Sequence, residues 1–222
     1  MKLGLHLTKN LLVLGALSAF AVCSFADTIA LNSGASETTN DSASATVNIA
    51  KNPGWADPIG SSSWVSYGQT GDPSSQGYFV PANGTVVTFY DTFFVGGTPT
   101  SGHVDVLADD STSVALQGVT LFNEASGSSN SYSTCSDFTI GCLAVTEGHI
   151  DLTGALTAGW NTLAFSVAQR DGSSFGLDYS GTVQYSTAAA TPEPGSILLL
   201  GTGLGLMGLG AFRRMRNKAQ QQ

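Results

Sequence analysis

Residues 85–95 read Thr-Val-Val-Thr-Phe-Tyr-Asp-Thr-Phe-Phe-Val. The run has no glycine or proline and is dominated by β-branched and aromatic side chains, the composition that a pleated, half-buried surface selects. Apolar side chains fall on both of its faces, which predicts a central place in a sheet. Residues 161–167 alternate more strictly, with Leu163, Phe165 and Val167 on one side and Thr162, Ala164 and Ser166 on the other. Residues 103–108 repeat the pattern, Val104, Val106 and Ala108 facing away from Asp105. Shorter runs of this kind lie at 46–49, 64–67, 113–116, 119–122, 149–152 and 177–185, punctuated by turn residues such as Asn83-Gly84, Gly96-Gly97, Gly159 and Asp171-Gly172. No stretch between 27 and 191 sustains a helical period. Nine or ten short strands in one domain predict an all-β fold, an antiparallel β-sandwich of jelly-roll type over 46–186.

The flanks have a different composition. Residues 1–26 carry Lys2 and Lys9, an apolar run over 11–22, and small Ser24 and Ala26 at the exit, the order of a secretory signal peptide cut by signal peptidase after Ala26. A lipoprotein alternative through Cys23 is disfavoured by bulky Val22 before it. Residues 27–45 are polar and predict a flexible arm. Residues 187–195 form a stalk containing Pro192-Glu193-Pro194, and residues 196–212 are 17 positions without a charge. At about 1.5 Å per residue such a helix reaches roughly 26 Å, near the lower limit for a hydrocarbon core of about 30 Å. Arg213, Arg214 and Arg216 follow in the tail 213–222, a basic cluster expected to stay cytoplasmic. The expected topology is a domain outside the inner membrane, anchored transiently or permanently, with its basic tail inside.

Between 27 and 191 the only cations are Lys51 and Arg170, against 15 Asp and Glu, a formal net charge of −13. A domain so acidic lacks the basic footprint that phosphate backbones require, so nucleic acid is excluded as a partner. With Cys23 removed, Cys135 and Cys142 remain, a pair most simply read as a disulfide in an oxidising compartment.

The ordered set of Pro192-Glu193-Pro194, the glycine-punctuated apolar stretch and Arg213-Arg214 resembles the PEP-CTERM sorting signal of exosortase substrates. The resemblance implies that the tail retains a precursor until exosortase processes it at or near the motif, after which the protein passes to the cell surface or an extracellular matrix. The body is similar to galactose-binding-like sandwich modules in Asn52-Pro53-Gly54-Trp55-Ala56, Ser63-Trp64-Val65, Thr92-Phe93-Phe94, the run 106–110 leading to 114–118, and Leu156 to Phe165. Where such modules often place Asn-Gly, this chain has Gln117-Gly118.

Motifs of chemistry fail in context. Gly203 to Gly208 satisfies G-x-G-x-x-G but lies in the apolar tail, without the βαβ unit that a dinucleotide needs. Gly172 to Gly176 satisfies G-x-S-x-G, yet no His follows position 149, and it reads as a hairpin turn. His103 and His149 stand at strand starts and read as surface residues. No catalytic residues are predicted, and the protein is not expected to be an enzyme. Two binding readings stand beside plain structural ones. Trp55, Trp64 and Tyr67 could stack on sugar rings, or else pack in the core. Asp105, Asp109 and Asp110 could ligate calcium, or else cap a turn. No other cofactor is expected. The functional expectation is a structural or adhesive surface protein, with recognition of extracellular polysaccharide, calcium-assisted or not, as the alternative.

Overall fold

A computed structural model describes residues 25–34, 38–39, 46–123, 135, 140–170, 172–187 and 194–219. The signal-peptide stretch before Phe25, together with Pro192 and Glu193 of the sorting motif, lies outside the described residues. Two units divide the chain, the segment 25–187 and the terminal segments.

Among the described residues, the segment 25–187 contains eleven strands: β1 (Phe25–Asn32), β2 (Thr38–Thr39), β3 (Val47–Asn48), β4 (Val65–Ser66), β5 (Val86–Val95), β6 (Thr98–Asp109), β7 (Ser111–Leu116), β8 (Val119–Phe122), β9 (Gly148–Asp151), β10 (Gly159–Ala168) and β11 (Gly176–Thr187). They form two antiparallel sheets. One has the order β3-β4-β11-β6-β9, with β1 also on β11; the other has the order β2-β5-β10-β7-β8. Alternation does the work that the sequence predicts. Val104, Val106 and Ala108 of β6 and Leu177, Tyr179 and Val183 of β11 are buried, as are Phe89 and Phe93 of β5 and Leu163, Phe165 and Val167 of β10. The two apolar faces close on one another, the sandwich solution for sheets with one greasy side. A polar link crosses this core: the Tyr179 hydroxyl donates to Asp91 Oδ2 over 3.0 Å. Such a bond ties β11 to β5 and disfavours slips of register, because a one-residue shift would strand both groups.

Three local expectations are corrected. The arm expected over 27–45 is in part a strand: Phe25 to Asn32 pairs residue for residue with Thr187 to Ser180 of β11, Leu31 enters the core, and Thr38–Thr39 adds to β5. The polar run that follows Leu31 masked it, since among the described side chains of this strand only Ile29 and Leu31 turn toward the core. On β5, Phe89 and Phe93 turn into the core while Val86, Tyr90 and Phe94 stay exposed, so its doubly apolar pattern does not mark burial on both faces. The Gly172–Gly176 segment carries the chain from β10 in one sheet to β11 in the other, so it is a crossover between layers and not a hairpin.

In the terminal unit, helix α1 runs Pro194–Ala219 and so continues through Arg213, Arg214 and Arg216. Among the described residues no helix is long and apolar enough to cross a membrane, so the span expected over 196–212 is not found there. Five glycines between 196 and 212 dilute the leucines, and each removes apolar area that a lipid-facing helix would present.

Candidate functional site

The outward side of the five-stranded sheet is built from cross-strand pairs of β5 and β10: Phe94 with Trp160, Thr92 with Thr162, Tyr90 with Ala164, Thr88 with Ser166, and Val86 with Ala168. Ser113 and Ala115 of β7 continue it beside Ser166 and Ala164. No Asp, Glu, Lys or Arg stands at the outward positions of β5, β10 or β7. In a domain of this acidity, such a strip is a strong local departure. Its aromatics are exposed, Trp160 at 66%, Phe94 at 53% and Tyr90 at 37%. Phe94 and Trp160 meet edge to face, with centroids 5.3 Å apart. Edge-to-face pairing is the favoured arrangement of two quadrupoles and fixes both rings with little loss of exposed face. Between the aromatics lie hydroxyls, with Thr88 Oγ1 and Ser166 Oγ 2.9 Å apart and the Thr92 and Thr162 hydroxyls 3.5 Å apart. Along β5, Tyr90 and Phe94 are four residues apart on one face, about 13 Å at the usual strand rise.

The edge of this platform is held by the β7–β8 turn. Gln117 and Gly118 both have positive φ, 52° and 77°, the signature of a two-residue hairpin turn whose twist matches its strands. Asn or Asp would enter the left-handed region more easily than Gln. The longer side chain explains the choice: Gln117 Nε2 donates to the Trp160 carbonyl at 2.8 Å, and its Oε1 accepts from Thr162 N at 3.2 Å. The amide thereby extends the ladder of β10 past the end of β7.

The sugar-stacking expectation for Trp55 and Trp64 is corrected by their burial, 5% and 1% exposed. They belong to a second, smaller core with Ile49, Leu107, Cys135 and Cys142. Their rings lie 4.3 Å apart, and both indole N–H groups are satisfied internally, Trp55 by Asp109 Oδ2 at 2.7 Å and Trp64 by the Ala56 carbonyl at 3.2 Å. Tyr67 is half-buried against Phe79 and Phe175, and burial raises its phenol. The two tryptophans present no face to solvent, and Tyr67 is partly covered.

The acidic trio does not converge as a calcium cage either. Asp109 is buried: Oδ2 accepts from Trp55 and Oδ1 has no hydrogen-bond partner. Burial, with the Asp110 carboxylate beside it, holds its carboxyl well above the usual range. Asp110 accepts from the Arg170 backbone N–H. Asp105 stands elsewhere on β6, outward, paired with His149 of β9. Asp109, Cys135 and Cys142 have their ligand atoms within 4.8 Å of one another. Cys135 and Cys142 are joined in a disulfide, so they offer no thiolate and the group is not a metal centre.

Of the sorting residues, Pro194 opens α1 while Pro192 and Glu193 lie outside the described residues. Arg213, Arg214 and Arg216 are exposed on the helix. Phe94 and Trp160 enter the sequence reading only as residues that carry the sandwich resemblance, and residues 85–95 only as a central strand, so neither ring is named there as a binding residue. A long strand greasy on both sides, in a chain with too few strands to cover it twice, is the signal that could have found them.

Neither a family model nor a curated protein matches the sequence. Among solved structures, the chain is similar to an α-L-rhamnosidase of Streptomyces avermitilis, solved with L-rhamnose, at 17% identity and TM-score 0.39 over 64% of this chain and 13% of that one. It is similar to a family 35 carbohydrate-binding module of Clostridium thermocellum at 12% identity and TM-score 0.39, covering 69% of this chain and 97% of the module. An FMN-binding β-glucuronidase of Faecalibacterium prausnitzii aligns at 15% identity and TM-score 0.35, over 72% of this chain and 23% of the enzyme. The chain thus spans a small fraction of the length of both enzymes. The fold itself defines the class: an antiparallel β-sandwich with a disulfide-stapled side core and a charge-free aromatic face.

Proposed function

We propose that this chain is an exported surface or matrix protein that adheres to neutral polysaccharide through the outer face of its five-stranded sheet. The observation that carries this reading is the aromatic and hydroxyl strip of Tyr90, Phe94 and Trp160 with Thr88, Thr92, Thr162 and Ser166, free of charge on a domain of net charge −13. Its chemistry matches one partner class. Pyranose rings offer apolar C–H faces to aromatic rings and hydroxyls to Thr and Ser. A neutral chain meets no repulsion there, whereas an acidic one approaching this domain would. A protein partner is less well matched, since the strip is rich in small hydroxyl side chains and has no arginine or central pocket to anchor it.

Export is supported by the signal-peptide order at the N-terminus and by the disulfide, which persists in oxidising compartments. Sorting by exosortase is supported by the order of Pro192-Glu193-Pro194, the glycine-punctuated apolar stretch and the arginines. The protein acts by adhesion and carries out no reaction in this reading.

The test is affinity electrophoresis and pull-down of the recombinant protein on neutral and acidic polysaccharides, beside Trp160→Ala and Phe94→Ala. Retardation by a neutral glycan, weakened about tenfold or more by either change, supports the reading; tenfold corresponds to about 1.4 kcal/mol, within reach of one stacked ring. Binding that survives both substitutions overturns it, as does a Trp160-dependent self-association without glycan binding.

A further inference from the structure

On the open end of the six-stranded sheet, far along β6 from Asp109, four side chains of alternating type share the outward face. His103 of β6 lies opposite Asp151 of β9, and Asp105 lies opposite His149. The two imidazoles are therefore diagonal neighbours, with ring centroids 5.1 Å apart. His149 Nδ1 is hydrogen-bonded to Asp105 Oδ1, while the rest of its side chain is 69% exposed. Asp151 accepts from Thr153 N at 2.9 Å, which orients its carboxylate beside His103.

We propose that His103 and His149 form a two-histidine surface site for a divalent transition cation of the zinc or copper(II) type, with the Asp151 carboxylate beside it, and that Asp105 is the positioning residue of that site. Paired imidazoles suit zinc, copper and nickel, whereas calcium takes oxygen ligands. A carboxylate on Nδ1 is the usual outer partner of a ligating histidine. It draws the ring proton to Nδ1, leaves the Nε2 lone pair facing out, and raises the basicity of that nitrogen. An ion held tetrahedrally at about 2.0–2.1 Å from each nitrogen needs the two nitrogens about 3.3 Å apart. The register sets the two rings side by side, with centroids 5.1 Å apart. Asp151 lies opposite His103 and adds negative charge beside the pair, leaving the remaining positions for water or ligand atoms from another molecule. Glu147, two residues before His149 on the same strand line, adds negative charge that draws a cation inward without being needed as a ligand.

The site is independent of the aromatic strip, which belongs to the other sheet. Its test uses the full-length protein titrated with zinc, copper(II) and calcium by calorimetry, with histidine-ring NMR shifts reporting where the ion sits. Binding of about one zinc or copper ion, with shifts confined to His103 and His149, is the expected result. His103→Ala and His149→Ala should each weaken it at least tenfold, and Asp105→Asn about tenfold, the typical loss when an outer partner is removed. Thermal melts of the same variants report folding, which surface changes on this face should leave within a few degrees of the parent. Zinc affinity unchanged in the His103→Ala/His149→Ala double variant overturns the proposal, as does calcium competing at equal concentration.

Discussion

The side-chain amide of Gln117 clasps the backbone of Trp160, donating to its carbonyl at 2.8 Å while accepting from Thr162 N at 3.2 Å. A turn residue in an unfavourable left-handed conformation thus positions the most exposed aromatic ring of the proposed glycan face. Gln117→Gly separates the two roles. It removes the conformational cost of the left-handed residue while losing two hydrogen bonds worth about 0.5–1.5 kcal/mol each, so net stability should change by no more than about 1–2 kcal/mol. Glycan affinity should nevertheless fall several-fold, since the Trp160 segment loses its support. Denaturant melts beside affinity electrophoresis distinguish this from a purely structural turn, for which binding would follow stability alone.

The Phe94–Trp160 contact should appear as coupling. In a double-mutant cycle over Phe94→Ala and Trp160→Ala, the stability interaction energy is expected at about 0.5–1 kcal/mol, the range for cross-strand aromatic pairs. A value indistinguishable from zero would mean that the two rings do not rest on each other in solution.

Asp109 makes stability fall as pH rises. Its carboxyl is raised by burial first and by Asp110 second, so the folded state keeps a proton that the unfolded state has released. Below about pH 4 both states are protonated and the group has no effect. Between there and the raised folded value its contribution declines, and above that value the full penalty persists. Asp109→Asn keeps an oxygen for the Trp55 indole and gains an N–H that can point to Asp110. The variant should melt at the parent temperature near pH 3.5 and above it at neutral pH. A difference that is constant across that range would contradict the assignment.

Reduction should be felt by the tryptophans. Cys135 and Cys142 pack against Trp55 and Trp64, and the bridge closes a short loop, with a sequence separation of 7 residues. In the chain-entropy account a loop of this size contributes about 2.5 kcal/mol. Cys135→Ser/Cys142→Ser should lower stability by about that amount and shift tryptophan emission to the red as the side core loosens. The main core, made by other residues, should keep its far-ultraviolet dichroism.

The sandwich was legible because its strands obey a period of two. Leu163, Phe165 and Val167 are buried just where alternation puts them, and Val104, Val106 and Ala108 likewise. β1 was not, because its inward pair Ile29 and Leu31 sits between the expected signal-peptide exit and the polar run from Asn32 to Ser44, too short an alternation to stand out. The side core misled differently. Trp55 and Trp64 are surrounded by Gly, Ser and Asp in sequence, yet Leu107 and the disulfide approach them from distant segments and roof them over. The platform failed to announce itself for the opposite reason: Val86, Tyr90 and Phe94 are hydrophobic, the composition of a covered face, yet they lie on the side of their sheet that stays exposed. His103 and His149 were each read alone, and only the β6–β9 register makes them a pair.

The pairing of Phe25 to Asn32 against Thr187 to Ser180 also has a mechanical meaning. β11 ends at Thr187, where the chain turns into the tail that the sorting reading ties to the cell, and along its length it is bordered by β6 on one side and β1 on the other. A load that enters at Thr187 and pulls along β11 would be resisted by the bonds of both ladders together, in shear, instead of parting them one after another. Tension between an anchored tail and a gripped polymer would then be taken up by a strand held on both edges.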